Sequence, residues 1–444
     1  MSEFAPSLYP VFIFDSYSFD SATGEARFHY RSGDHRFTEI IKFALDPNHS
    51  LIPDREHLLS RALELCHLLI GTSYYKCFPT SVVQYPYLFN DNQLQFFNSV
   101  YQEGLSQFAY ENNLTRSDLA HFTNSDNINP ENDPISYSGQ GALVLQSGGK
   151  DSLLTASLLT ASGINFTPWY VTSSDHHPEI LDQLGQSLVT TLRQIDHENL
   201  KKAAEQGALN GHVPVTYIIQ SLAIVQAILL NKSQILVSIG NEGAEPHAYI
   251  DDLPVNHQWS KTWEAEQTFA NYVHTYISPD LQIGSPLRQF SELKIAELFV
   301  RHAWDQFGHQ FSSCNIANYR QNSDNTTLKW CAKCPKCANS YLLFTPFLSA
   351  AELKPLFSNQ DLFADPELID TFKGLLGIDH HIKPFECIAE IAELRTAYQM
   401  IDHSQYAELP FAVPPETQYN YHHKFDAQSW ATDIINSELT KQIN

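Results

Sequence analysis

The hexapeptide "SGGKDS" at residues 147–152 combines residue types that can bind phosphate groups. It lies between the apolar run "GALVLQ" and the helical pattern "KDSLLTASLLTAS", which predicts a strand, a tight loop and a helix. The glycines would let backbone N–H groups approach an anion, and the helix start supplies free N–H donors and a partial positive charge. Lys150 adds a mobile positive charge, and Asp151 would cap the loop or help to hold a magnesium ion. The sequence therefore predicts a phosphate-binding loop.

The spacing of this loop differs from the Walker A pattern G-x-x-x-x-G-K-[ST]. Ser-Gly-Gly-x-Asp-Ser instead resembles the PP-loop of the N-type ATP pyrophosphatases. The resemblance implies an adenine-nucleotide alpha-hydrolase-like fold, cleavage of ATP between the α and β phosphates, and adenylation of a substrate oxygen with release of pyrophosphate. An ordinary strand–turn–helix junction is the alternative. The residues expected to bind ATP are Ser147, Gly148, Gly149, Lys150, Asp151 and Ser152.

Four cysteines form a second group that could bind a metal. Cys331, Cys334 and Cys337 have the spacing C-x2-C-x2-C, and Cys314 lies upstream with 16 residues between it and the triplet. Four thiolates are enough for a closed tetrahedral zinc site, which would be structural. The arrangement resembles the zinc site of the deazaguanine-synthesising PP-loop enzymes. An iron–sulfur cluster with the same ligands and reduced cysteines packed in a turn are the alternatives.

Composition limits the partners and the compartment. The 444-residue chain carries a formal net charge of −23 and has no run of Lys or Arg longer than two, which argues against a nucleic-acid partner. The first basic residue is Arg27, and no apolar run approaches the roughly 18 residues of a membrane span. Seven cysteines, an odd number in a long chain, do not indicate a disulfide framework. We predict a cytoplasmic protein without a membrane partner.

The elements around the two groups indicate an α/β fold in three parts. Residues 8–45 alternate between apolar and polar types, which predicts a small antiparallel sheet, and helical patterns follow near 54–70 and 92–110. Residues 111–138 are polar and read as a linker. From Gly141, strands alternate with helices, which predicts a doubly wound parallel sheet with helices on both faces. The predicted domains are an N-terminal α+β domain with the linker (1–138), the PP-loop domain with the cysteine cluster (139–346) and a mainly helical region (347–444).

Several segments, taken in order with the PP-loop, resemble one family, the UDP-N-acetylmuramoyl-L-alanyl-L-glutamate epimerases of peptidoglycan synthesis. The segments are "HLLIGTSYYK" (67–76), "IGNEGAE" (239–245), "VNHQWSKTWEAE" (255–266), "SPLRQFSELKIAELF" (285–299), "WCAKCPKCA" (330–338) and "KPFECIAE" (383–390). The resemblance implies that ATP, with Mg²⁺, adenylates the terminal L-Glu carboxylate of UDP-MurNAc-L-Ala-L-Glu. The Cα proton becomes more acidic, a base removes it, reprotonation from the other face gives D-Glu, and hydrolysis releases AMP.

Residues for this chemistry can be assigned only as candidates. The anionic substrate requires local positive charge, for which Lys150, Lys261, Arg288 and Lys383 are candidates, although each would equally suit a solvated surface. His247, His257 and Cys387 could exchange the Cα proton. Glu242, at the end of a predicted parallel strand, could bind magnesium or act as a base, and Asp251 and Asp252 are alternatives. The expected catalytic residues are therefore Lys150, Glu242, His247, His257, Lys261 and Cys387, and the expected substrate-binding residues are Lys261, Arg288 and Lys383.

Two other functions share part of these features. Another carboxylate-adenylating PP-loop enzyme, such as a deazaguanine synthase, would have the same loop and cysteine cluster but would not explain the N-terminal sheet or the "KPFEC" segment. A catalytically silent ATP-binding regulatory protein would use the zinc site as a docking platform. The intact SGGKDS loop argues against that second alternative. The sequence gives no indication of the oligomeric state.

Overall fold

A computed structural model describes residues 8–46, 53–124, 134–320 and 326–441 of the chain. The strands are β1 (Phe12–Asp20), β2 (Glu25–Ser32), β3 (His35–Lys42), β4 (Val83–Gln84), β5 (Ala142–Leu145), β6 (Phe166–Thr172), β7 (Val189–Gln194), β8 (Gln234–Leu236), β9 (Ala248–Ile250), β10 (Leu253–Val255) and β11 (Gln282–Gly284). The helices are α1 (Pro53–Ile70), α2 (Thr72–Tyr75), α3 (Asp91–Gln102), α4 (Ser106–Glu111), α5 (Lys150–Ala161), α6 (His197–Glu205), α7 (Val215–Leu229), α8 (Trp263–Tyr272), α9 (Glu292–His302), α10 (Trp304–Phe307), α11 (Pro335–Phe344), α12 (Ala350–Leu353), α13 (Ile369–Leu376), α14 (Ile391–Gln399) and α15 (Ser429–Lys441).

Nine strands form one mixed sheet in the order β11-β8-β5-β6-β7-β3-β2-β1-β4, and β9 and β10 form a separate hairpin. Strands β11, β8, β5, β6 and β7 are parallel, as predicted. The predicted antiparallel sheet is also present, as β1, β2 and β3. It continues the parallel sheet, because residues 40–42 of β3 pair with residues 192–194 of β7. The predicted boundary at residue 138 therefore separates two parts of one sheet, and the domain division stays a prediction.

The order of the parallel strands creates a crevice between β5 and β8. The chain runs from β5 outward to β6 and β7, and then returns to the other side of β5 to form β8 and β11. At such a reversal the connections leave β5 and β8 in opposite directions, so a crevice opens beyond their carboxyl ends. In open α/β sheets this crevice is where ligands bind. The loop at residues 147–149 follows β5 and therefore lies at this position.

Helices cover both faces of the parallel part of the sheet, as predicted. Along β5, Leu143 packs into one core with α1 and α7, whereas Ala142 and Val144 pack into the other with α5, α9 and α11. This alternation follows from the two-residue period of a strand. Helix α7 is apolar on all sides and largely buried, as its sequence predicts. None of the described helices is both long and apolar enough to cross a membrane.

Two sequence predictions about the connecting segments differ in detail from the structure. The helix predicted near 92–110 is divided into α3 and α4 by a turn that contains Gly104, a residue type that disfavours the helix interior. Of the predicted linker at 111–138, residues 125–133 lie outside the described residues. The region after Phe347 contains α12 to α15 and has no strand among its described residues.

Candidate active site

The glycine-rich loop joins β5 to α5 in a conformation that requires its glycine. Gly148 has a φ of +76°, and a Cβ at this position would lie 2.5 Å from Cδ1 of Leu328. The amide of Gly149 donates a hydrogen bond to Oγ of Ser147 at 3.3 Å, and the amide of Ser147 donates to Oγ of Ser152 at 3.2 Å. Helix α5 begins at Lys150, immediately after the loop. The predicted residues thus form one compact turn with hydroxyl groups and a helix N-terminus.

Lys150 is buried between two carboxylates. Its Nζ lies 2.5 Å from Oδ1 of Asp151 and 2.6 Å from Oε2 of Glu292. Burial alone would lower the pKa of Lys150, but the two carboxylates outweigh it and raise the pKa above the usual range. Glu292 is the first residue of α9, after the N-cap Ser291, and the sequence analysis did not single it out. Its position beyond a parallel strand, β11, is the signal that could have found it.

Glu242 and Lys261 form a second ion pair beside the loop. Lys261 Nζ lies 3.2 Å and 3.3 Å from the two carboxylate oxygens of Glu242. Burial raises the pKa of Glu242. The positive charge of Lys261 opposes this rise, and the negative charge of Glu292 adds to it. Burial likewise raises the pKa of Asp151, with Lys150 opposing the shift and the charges of Glu292 and Glu242 adding to it. The structure therefore brings predicted residues from the ends of β5 and β8 into one interacting group of charges.

Cys387 joins this group from the segment between α13 and α14. Burial would raise the pKa of its thiol, but Lys261, a hydrogen bond with His257, and Lys336 outweigh burial and lower the pKa to about 5. Lys336, at the start of α11, donates a hydrogen bond to the carbonyl oxygen of Cys387. Lys261, His257 and Lys336 therefore favour the thiolate form of Cys387. The sequence analysis did not single out Lys336.

His257 is held on its other side by a residue that the sequence analysis missed. Its Nδ1 lies 2.6 Å from Oε1 of Gln107, a residue of α4. The Gln107 amide is oriented by Glu111, because its Nε2 donates to Oε1 of Glu111 at 2.8 Å. Gln258 Nε2 donates to the carbonyl oxygen of Ile388 at 2.9 Å, which fixes the loop of His257 against the segment of Cys387. No local pattern marked Gln107, which is 150 residues from His257.

A cavity of about 880 Å³ opens onto these residues. Three predicted catalytic residues line it: His257, Lys261 and Cys387. The remaining lining residues are mostly polar: Lys76, Gln107, Glu111, Asn210, Gly211, His212, Val215, Thr216, Ser260, Asn315, Ile316, Pro335, Phe385 and Glu386. A second cavity of about 250 Å³ lies at the carboxyl end of β6 and is lined in part by Leu328, which contacts the Gly148 position. Concave sites of these sizes can hold small molecules.

Three further candidates, His247, Asp251 and Asp252, lie outside this cavity. His247 is buried and stacks on Phe385 with the ring centroids 5.2 Å apart, and burial together with Lys383 lowers its pKa to about 3. The lowered pKa favours neutral His247 at pH 7. Its ring centroid lies 6.3 Å from the ring centroid of His257. Asp251 and Asp252 are exposed in the turn of the β9–β10 hairpin. Their participation in catalysis stays a prediction.

Two basic candidates for substrate binding are occupied by internal ion pairs. Arg288 is fully buried, lies 2.8 Å from Oε2 of Glu266 and donates to the carbonyl oxygen of Gly240 at 2.7 Å. Lys383 Nζ lies 2.7 Å from Oε2 of Glu245. Either residue could bind a substrate only if its ion pair were broken. Through its hydrogen bond to Gly240, Arg288 also stabilises the chain just after β8, next to Glu242.

The four clustered cysteines converge as the spacing predicted. Their Sγ atoms all lie within 4.8 Å of one another. The Sγ–Sγ distances are 3.7 Å for Cys314–Cys334, 3.7 Å for Cys331–Cys337 and 3.5 Å for Cys334–Cys337. Sulfur atoms bound to one zinc at about 2.3 Å in tetrahedral geometry are separated by about 3.8 Å. The donor set and its geometry therefore fit a zinc ion.

The cysteine cluster is also connected to the larger cavity. Cys334 is the N-cap of α11, and that helix carries Lys336 to the backbone of Cys387. One turn later, Asn339 Oδ1 accepts a hydrogen bond from the amide of Ala389 at 3.0 Å. The helix that begins at the cluster thus positions the segment that contains Cys387.

Comparisons with known proteins agree over most of the chain. The family model of the MurL N-terminal domain matches residues 3–285, and that of the MurL C-terminal domain matches residues 310–422. The protein from Salinispora tropica named UDP-N-acetyl-alpha-D-muramoyl-L-alanyl-L-glutamate epimerase is 33% identical over 399 residues, which cover 88% of this chain and 84% of that protein. Proteins of the same name from Micromonospora sp. and Xanthomonas oryzae pv. oryzae are 31% and 32% identical, covering 92% and 77% of this chain and 92% and 75% of their own length.

Proposed function

The chain belongs to the MurL family of UDP-MurNAc-L-alanyl-L-glutamate epimerases, and we propose that it converts the terminal L-Glu of UDP-MurNAc-L-Ala-L-Glu to D-Glu. This step would supply a peptidoglycan precursor in the cytoplasm. The observation that carries the proposal is one group of charges beyond β5 and β8, in which Glu292 interacts with both Lys150 and Lys261. Lys261 and Cys387 line the adjoining cavity of about 880 Å³. Activation of a carboxylate and removal of a neighbouring proton require phosphate-binding, anion-stabilising and proton-exchanging groups together.

ATP is the activating substrate in this proposal, and the loop of the PP-loop type binds its phosphates. The fit is supported by Gly148, where any side chain would fill the turn, and by the two serine hydroxyls that face the amides of the loop. The N-terminus of α5 supplies further N–H donors for the phosphates. The cavity at the end of β6 adjoins the loop through Leu328 and is of a size to take an adenine ring.

Mg²⁺ is expected with ATP, and the carboxylates of Asp151, Glu242 and Glu292 would hold it. Burial, reinforced by the charges of the neighbouring carboxylates, raises the pKa of Asp151 and Glu242, and a bound divalent cation would favour their charged forms. When bound, this ion would neutralise part of the phosphate charge. Lys150, already between Asp151 and Glu292, is placed to exchange one of these carboxylates for a phosphate oxygen.

The chemistry begins with attack of the α-carboxylate of the terminal L-Glu on the α-phosphorus of ATP, which gives an acyl adenylate and pyrophosphate. The acyl adenylate withdraws electrons from Cα more strongly than a carboxylate anion, so the Cα proton becomes more acidic. His257 lies at the cavity wall beside Cys387 to accept it, and Lys261 can stabilise the negative charge that develops on the carbonyl oxygen. Cleavage of the acyl–phosphate linkage releases AMP, and hydrolysis of the activated carboxyl group gives the D-Glu product.

The four cysteines are proposed to hold a structural zinc ion, because four thiols leave no open position for a substrate. Through α11 this site would keep Lys336 and the Cys387 segment in place. The zinc site would therefore contribute to the reaction by positioning these residues.

The proposal is tested by incubating the protein with ATP, Mg²⁺ and UDP-MurNAc-L-Ala-L-Glu, and by measuring AMP together with the chirality of glutamate in the product. We expect AMP and D-Glu to appear together. UDP-MurNAc-L-Ala, which lacks the glutamate, is the matched control and should give no AMP. AMP without D-Glu would favour another carboxylate-adenylating enzyme, and no AMP with a zinc-loaded protein would favour a regulatory ATP-binding protein.

A further inference from the structure

We propose that Cys387 acts as a covalent nucleophile and carries the substrate as a thioester during inversion. The inference rests on the proposed function and deepens it, because it specifies how the activated carboxylate is held while Cα loses its proton. Three side chains carry it: Cys387, His257 and Gln107. They come from three segments that are distant in the sequence and meet at the wall of one cavity.

The three side chains have the arrangement of an activated nucleophile, a base and an orienting group. Gln107 Nε2 is committed to the Glu111 carboxylate, so Oε1 is the atom that faces His257 at 2.6 Å. An amide oxygen can only accept, so Nδ1 of His257 must carry a proton in this contact. The other ring nitrogen, Nε2, is then the one available to exchange a proton with Cys387, which lines the same cavity.

The charges around the thiol favour a nucleophile over a proton acceptor. Lys261 and Lys336 both stabilise the thiolate, and the resulting pKa of about 5 makes it a weak base at neutral pH. Its lowered pKa favours the thiolate form, and Cys387 lines the cavity. Lys261 also pairs with Glu242 in the charge group of the ATP-binding loop, which places the thiolate on the loop's side of the cavity.

The covalent step is balanced without any further reagent. The thiolate sulfur of Cys387 forms a bond to the acyl carbon of the adenylate, the acyl–oxygen bond to AMP breaks, and AMP leaves as a phosphate anion that needs no added proton. His257 then accepts the Cα proton through Nε2, and a water molecule donates a proton to the opposite face. The hydroxide formed cleaves the thioester, which releases the D-Glu carboxyl group and restores the thiolate, and His257 returns its proton to water.

The decisive experiment is intact-protein mass measurement after acid quenching of a reaction with ATP, Mg²⁺ and UDP-MurNAc-L-Ala-L-Glu. His257→Gln should accumulate an adduct of the substrate mass minus water, because the acceptor for the Cα proton is lost. The adduct should map to the peptide of Cys387, disappear with hydroxylamine and be absent from His257→Gln/Cys387→Ala. Cys66→Ala, which removes a buried thiol far along α1, is the matched control and should leave the adduct unchanged.

The outcomes separate this inference from the proposed function. AMP and D-Glu formation by the wild-type protein, with no adduct on it in the first turnovers or on His257→Gln, would overturn the thioester and leave the epimerase function intact. If His257→Gln fails to fold, the wild-type measurement in the first turnovers decides alone. Absence of substrate-dependent AMP from the wild-type protein would overturn both.

Gln107 is a positioning residue in this scheme, and its effect can be read from the thiol itself. Gln107→Ala should move the pH profile of iodoacetamide alkylation at Cys387 to higher pH, because an unheld His257 stabilises the thiolate less. Gln95→Ala, which changes an exposed glutamine of α3, should leave the profile unchanged. An unchanged profile in Gln107→Ala would contradict the positioning role.

Discussion

The Nζ of Lys150 lies 2.6 Å from Oε2 of Glu292, which connects the loop after β5 to the first turn of the helix after β11. The two residues are 142 positions apart in the chain and both are buried. The Lys150 side chain is therefore already in position before a ligand binds, because two carboxylates hold it at the N-terminus of α5. Pre-positioned charge of this kind stabilises a developing negative charge without reorganisation.

Removing the Lys150 charge should abolish activation of the substrate. Lys150→Met is expected to reduce substrate-dependent AMP release by about 100-fold or more, since a single charged donor to a transition state is worth roughly that factor. Lys202→Met, at an exposed lysine paired with Glu198 on α6, is the control and should keep full activity. Initial rates of AMP formation measure both, and an active Lys150→Met would remove the loop from the mechanism.

The reactivity of Cys387 should depend on pH and on Lys261. Since the active form is the thiolate, its alkylation should be complete above the pKa of about 5 and be lost as the pH falls through that value. Lys261→Met should raise this pKa and slow alkylation at pH 6 about tenfold or more, because each pKa unit above the solution pH reduces the thiolate fraction tenfold. Rates of iodoacetamide modification at Cys387, followed by peptide mass analysis, give the profile. An unchanged profile would mean that Lys261 does not stabilise the thiolate.

The cysteine cluster should bind about one zinc per chain. Cys334→Ser should lose the metal and lower the melting temperature, because the closed four-sulfur site stabilises the folded chain. Cys314→Ser tests whether the upstream cysteine is the fourth ligand, and Cys77→Ser is a control outside the cluster. Elemental analysis and thermal unfolding measure the two effects. Full zinc content in Cys314→Ser would exclude it as a ligand.

The buried pair of Arg288 and Glu266 should be a structural requirement for the strand end next to Glu242. Arg288→Met should destabilise the fold by about 3–5 kcal/mol, because it leaves the Glu266 carboxylate buried without its partner. Arg288→Met/Glu266→Gln should recover part of this loss. The exposed Arg301, changed to Met, should alter the free energy of unfolding by less than about 1 kcal/mol. Denaturant unfolding measures all three, and a neutral Arg288→Met would refute the structural role.

Local sequence patterns predicted the parts of this molecule that depend on neighbouring residues. The strand, turn and helix around Gly148 follow from apolar periodicity and glycine chemistry, and the structure confirms them. The convergence of the four cysteines also follows largely from the short spacing of the triplet. Lys261 and Cys387, which come from two of the quoted segments, line one cavity.

The three site residues that the sequence did not indicate share one property, which is that their positions depend on tertiary packing. Gln107, Glu292 and Lys336 reach the site from helices whose relative positions depend on packing across the sheet. No local pattern distinguishes Gln107, and the signal for Glu292 is its position beyond β11, which only the fold makes clear. Arg288 shows the converse, because its charge suggested a substrate contact, whereas the fold pairs it internally with Glu266. The sequence indicates which reactive groups are present. Tertiary packing determines which charged groups are paired internally and which can contact a ligand.

The most direct test of the central claim follows the oxygen atoms of the substrate. UDP-MurNAc-L-Ala-L-Glu labelled with ¹⁸O at both α-carboxylate oxygens should transfer one labelled oxygen to each AMP, because adenylation joins that carboxylate to the α-phosphorus. The label should be found in AMP in step with the formation of D-Glu. Formation of D-Glu with unlabelled AMP, or with no AMP, would contradict activation of the carboxylate by ATP.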